Sequence, residues 1–164
     1  MAAVVALGLV VIATFLVVYL VNEPNRRAEA AAYMQEVSIE RGTKLYVQYC
    51  ITCHGPEGKG GKTGPNYIGA PLDLAVNTTT DPIKGEKRAE QLKETIINGR
   101  GELPRKMPAW GAENNGPLNS EQVDDLVHMI RHGDWQKVHE EALKHYKGNI
   151  PTPTPLPSAD AASE

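Results

Sequence analysis

Residues 50–54 read Cys-Ile-Thr-Cys-His, and this short stretch decides how the rest of the chain is read. The pattern CxxCH is the attachment signature of c-type haem. One helical turn presents two thiols to the two vinyl groups of the macrocycle, and the next residue points an imidazole at the iron. The chain has 2 cysteines in all, both inside the motif. A zinc site would need further ligands at suitable spacing, and a thioredoxin-like dithiol would need a βαβ context. The sequence offers neither, so Cys50 and Cys53 are read as thioether positions and His54 as an axial ligand of a single covalent haem c.

Ahead of the motif, Ala2 to Val21 carries no charged residue and is built almost wholly of Ala, Val, Leu, Ile and Gly. As a helix this run spans ~30 Å, the thickness of a bilayer's hydrocarbon core. It is read as a single transmembrane anchor over 1–22, with Tyr19 at the interface and Pro24 where the helix meets water. The apolar run is longer than that of a secretory signal, and only Ala28 and Ala30 resemble a cleavage site. Arg26 and Arg27 follow the anchor against the usual charge bias, but haem attachment takes place outside the cytoplasm. The expected placement is therefore the inner membrane, single-pass, with the haem domain on the periplasmic side.

Residues 23–35, rich in Ala, Glu and Arg, form an expected helical stalk. A helix from Gln35 to Tyr49 leads into the motif, with Val37, Leu45, Tyr46 and Tyr49 facing inward. Residues 55–85 are dense in Gly, Pro, Asn and Thr and read as loop. A second helix is expected over Glu86–Asn98, stopped by Gly99, and a third from Asn119 or Ser120 to Gly133. Residues 134–147 suggest one more short helix, and the Pro-rich tail that follows favours extended polyproline structure. No segment shows the alternation of a strand. The domain plan is anchor 1–22, stalk 23–35, haem domain 36–133, and helical extension with Pro-rich tail 134–164.

The resemblance is to the class I cytochrome c family, over residues 36–133. Gly42, Leu45 and Tyr46 precede CxxCH as GxxLY, Thr63–Asn66 follow it as TGPN, Ile97–Gly101 (INGRG) precede Met107–Gly111 (MPAWG), and 118–131 resemble the family's last helix. That likeness implies an all-α fold around the haem, a close crossing of first and last helices at Gly42 near Met129 and Ile130, and a Pro65 carbonyl accepting the Nδ1 proton of His54. The segment Glu102–Lys106 departs from the family pattern as an insertion beside Met107.

Of the 4 methionines, Met1 lies in the anchor, Met34 precedes the domain and Met129 belongs to a periodic core face, which leaves Met107 as the second axial ligand. His128, His132, His139 and His145 are the other candidates, and solvent-facing positions account for His128 and His132. Trp110, Tyr67 and Arg100 are candidates for the propionate side or for ordinary packing.

With both axial positions filled, the expected function is one-electron transfer in a membrane electron-transport chain, not catalysis. Expected partners are the membrane and redox proteins, first among them subunits of a quinol-oxidising complex, such as alternative complex III, or of a terminal oxidase. A haem enzyme or gas sensor with a labile Met107 is the alternative. No small-molecule substrate is expected, and a net charge of −3 argues against nucleic acid. The stretch 59–106 is locally basic, and Lys59, Lys62, Arg105 and Lys106 are the residues expected to steer a partner.

Overall fold

The computed structural model of the chain describes residues 1–63, 68–72 and 79–154. It divides into two compact units, Met1–Val37 and Ser38–Glu164. Helix α1 runs from Ala2 to Tyr49 with Pro24 inside it. Its apolar N-terminal part is long and hydrophobic enough to cross a membrane, with none of the side chains in that window buried by the protein. Pro24 has no amide to donate to the helix. On the turn after it, Arg26 and Arg27 both bond the Glu23 carboxylate, at 2.8 and 2.7 Å, and support the helix there.

In the second unit, one turn of helix, α2 (Ile51–His54), follows the end of α1. Among the described residues, three further α-helices are α3 (Pro82–Asn98), α4 (Ser120–His132) and α5 (Trp135–His145). The all-α expectation holds, with one addition in the loop. Two-residue strands β1 (Gly61–Lys62) and β2 (Ile68–Gly69) pair antiparallel. Segments this short carry no readable alternation.

Helix α3 starts four residues earlier than the sequence pattern suggests. Asp81 caps it, accepting from the amides of Ile83 and Lys84 at 3.1 Å, and Pro82 occupies the first position. Proline is suited to that place because the first amide of a helix has no acceptor in any case. Helix α4 begins as expected at Asn119, whose side chain and that of Gln122 bond each other's backbone amides at 2.9 Å in a capping box.

The core joins Tyr46, Val47 and Ile51 to Leu92 and Ile96 of α3 and to Val123, Leu126, Met129 and Ile130 of α4. Burying each large aliphatic or aromatic side chain of this kind contributes ~1.5–3 kcal/mol. The chain's single Phe is Phe15, in the anchor, so the domain packs without any phenylalanine. Val138 and Ala142 of α5, both 0 % exposed, belong to the same core.

Where α1 crosses α4, a Cβ on Gly42 would lie 2.1 Å from the Asp125 carbonyl oxygen and 2.8 Å from Met129 Cβ. The absence of a side chain lets the two backbones touch. Asp125 is buried beside this contact. Its carboxylate accepts from Ser38 Oγ at 2.6 Å and from Arg41 Nε and Nη2 at 2.9 and 3.0 Å. A buried carboxylate is tolerated only when so satisfied. His128 is not solvent-facing as expected: it is half-buried, with Nδ1 2.9 Å from Ser38 Oγ. The helix periodicity alone does not reveal a polar group on α1 waiting for it.

Candidate haem site

The attachment turn is shaped by how α1 ends. Cys50 takes φ −110° and ψ −30°, and α2 then completes a single turn. The amides of Cys53 and His54 both bond the Cys50 carbonyl, at 3.2 and 2.9 Å. Ile51 is 0 % exposed while Thr52 faces solvent, which fixes the roll of the turn. Gly55 leaves it with φ 75°, a conformation that favours glycine. The Tyr46 hydroxyl, fully buried, donates to the Gly55 carbonyl at 2.7 Å.

Cys50, His54 and Met107 line one apolar cavity, walled by Leu92, Ile96 and Leu126. His54 Nδ1 lies 2.8 Å from the Ala70 carbonyl oxygen. With Nδ1–H donating there, Nε2 is left as the free lone pair. Loss of water around the half-buried ring pulls its pKa down, opposed by the bond to Ala70, a shift toward the neutral form a metal requires. Burial, reinforced by neighbouring Cys53, pushes the Cys50 thiol up to about 12. Burial also raises the pKa of Tyr46 and keeps its hydroxyl a donor.

Met107 is half-buried and held by a two-way backbone pair with Arg100. The Arg100 amide bonds the Met107 carbonyl at 2.9 Å and the Met107 amide bonds the Arg100 carbonyl at 2.8 Å. Gly99, at φ 70°, makes this possible, since a Cβ there would lie 2.4 Å from the Met107 carbonyl oxygen. Trp110 shares the cavity wall and packs on Tyr49 with ring centroids 5.6 Å apart. The inserted segment forms a turn closed by Arg105 N–H to the Glu102 carbonyl at 2.8 Å. Its Pro104 carbonyl accepts from Ile68 at 2.7 Å, tying the methionine loop to β2.

The structure thus brings together Cys50, His54 and Met107 in one apolar chamber, with half-buried Cys53 beside Thr63, Sγ to Oγ1 3.9 Å. Pro65 and Tyr67 lie outside the described residues. The carbonyl seen on His54 is that of Ala70, whose one available signal in the sequence is the following Pro71, which favours extended backbone before it. None of His128, His132, His139 and His145 lines the chamber. Among the described residues no group of three or more His, Cys, Asp or Glu is placed to hold a metal ion. The donor set fits an iron porphyrin: two thiols on one turn, a neutral imidazole with a free Nε2, a thioether, and apolar walls.

Helices around such a chamber, with CxxCH at its wall, define a c-type cytochrome domain preceded by a membrane-length helix. Residues 37–130 match the family described as cytochrome c oxidase, cbb3-type, subunit III, and the chain belongs to that family. Membership of this cytochrome c family implies covalently bound haem c. The chain is 30 % identical over 111 residues to the cbb3-type cytochrome c oxidase subunit FixP of Azorhizobium caulinodans. The aligned region covers 66 % of this chain and 32 % of that protein, so the chain spans about a third of the relative's length. No solved structure matches the chain.

Proposed function

We propose that this protein is a one-electron carrier whose single haem is bonded to Cys50 and Cys53 and ligated by His54 and Met107. The observation that carries the reading is the convergence of Cys50, His54 and Met107 on one apolar cavity. Haem c supplies a metal centre that gains and loses one electron without binding a substrate. The chain's residues do the rest. His54 is oriented through Ala70, Met107 is presented by its backbone pair with Arg100, and Leu92, Ile96 and Leu126 exclude water. A thioether opposite histidine and a dry pocket both raise the reduction potential. Such a carrier is suited to receive electrons and pass them to a strong oxidant.

The helix Ala2–Val21 anchors the domain, and the stalk 23–35 keeps its partner in or on the same membrane, on the periplasmic side. The relative's name as an oxidase subunit favours a terminal oxidase as that partner over a quinol-oxidising complex. Detergent extraction of the native protein tests this. Co-purification with haem–copper oxidase subunits, and a redox titration that fits a one-electron wave, are expected. Co-purification with a quinol-oxidising complex moves the carrier to the other end of the chain. Turnover of peroxide or nitric oxide by the isolated protein contradicts a carrier role.

A further inference from the structure

We propose that the segment 135–154, which lies beyond the family match ending at residue 130, is a clamp that holds the haem-attachment turn from outside, with Tyr146 and Trp135 as its positioning residues. The proposal rests on the assignment of Cys50, Cys53 and His54 to the haem.

The turn needs help at its entrance. Because Cys50 breaks α1, the Val47 carbonyl loses the Ile51 amide that a continuing helix would supply. Val47 is 1 % exposed, and a buried carbonyl left without a donor is destabilising. The Tyr146 hydroxyl supplies that donor, at 3.1 Å. At the exit, Gly55 is bonded by Tyr46, and Trp135 packs edge-on against Tyr46 with ring centroids 5.3 Å apart and planes at 85°. The same indole covers the loop after His54, its Cη2 lying 3.0 Å from where a Cβ on Gly58 would sit.

The chain then returns over the turn a second time. Lys62 and Thr154 pair through both amides, at 2.7 and 3.0 Å, and buried Pro153 lies 3.4 Å from a Cβ position on Gly55. The alternation Pro151-Thr152-Pro153-Thr154 permits this, since each threonine keeps the amide that proline lacks. Every residue from Cys50 to Gly55 therefore lies between contacts made by the extension. Val138 and Ala142 are 0 % exposed, so this face of α5 is packed inside the domain, while Leu143 remains 41 % exposed. Closing this side to water and fixing the backbone that carries His54 both act on the iron's reduction potential.

The test uses the full chain with haem attached, in two variants that each delete one bond: Tyr146→Phe, which removes the hydroxyl, and Thr154→Pro, which removes the amide. Both are expected to retain one covalent haem, to lower the reduction potential, and to shift the haem-methyl and His54 ring resonances of the ferric protein. Lower melting temperatures with potential and resonances at the wild-type positions overturn the clamp and leave the electron-carrier reading standing. A wild-type chain that matures without covalent haem overturns that reading, and the clamp with it.

Discussion

The imidazole of His54 and the carbonyl of Ala70 meet at 2.8 Å, sixteen residues apart in sequence. The contact depends on Gly69 next door, because a Cβ there would lie 1.8 Å from the Cys53 carbonyl oxygen. Gly69→Ala must therefore push β2 away from the attachment turn. The His54 ring loses its fixed orientation, and its resonances in the ferric protein move and broaden. Unchanged ring resonances would show that Ala70 does not orient the ligand.

Met107 and Met129 separate ligation from packing. Met107→Ala should remove the sulfur-to-iron band at the red end of the spectrum and lower the potential. Met129, 0 % exposed in the core, should give a variant with normal spectrum and lower stability. Core Met→Ala changes cost ~2–5 kcal/mol. Thermal unfolding and spectra of the two variants check the division.

Gly42→Ala places a methyl group against the Asp125 carbonyl at 2.1 Å, where backbone and not a flexible side chain must move. The crossing of α1 and α4 should open, with a loss of about 3 kcal/mol at the upper end of usual overpacking costs. Denaturant unfolding measures it. A wild-type midpoint would mean the crossing is looser than this geometry.

The four cations expected to steer a partner are all exposed, but they are not equivalent. Lys59 is in ion contact with Glu57, whereas Arg105 and Lys106 form no ion pair among the described residues and stand on the turn just before Met107. Reversing Arg105 and Lys106 to Glu should slow electron transfer and flatten its dependence on ionic strength, as rim charges govern association rate. Lys59→Glu should have a smaller effect. Equal effects from both changes would remove the distinction.

Much of the candidate site was legible because the residues proposed for it carry local signals. CxxCH lies within one turn, and Met107 stands out once the other methionines are placed. Asn119 announces α4 by its capping chemistry. What the sequence concealed depends on contacts between distant segments. Ala70 acts through a backbone atom, which has no residue-type signature. The bond from Ser38 to His128 spans 90 positions, and that from Tyr146 to Val47 spans 99. Asp81-Pro82 was readable as a helix start, yet the Gly and Pro around it masked the signal as loop.

The most direct measurement of the central claim is the visible spectrum of the purified protein, ferric and then ferrous with carbon monoxide added. A carrier with His54 and Met107 on the iron shows the sulfur-to-iron band when oxidised, and its low-spin ferrous spectrum is unchanged by carbon monoxide. A ferric spectrum without that band, or ready formation of a carbon monoxide complex, would contradict it.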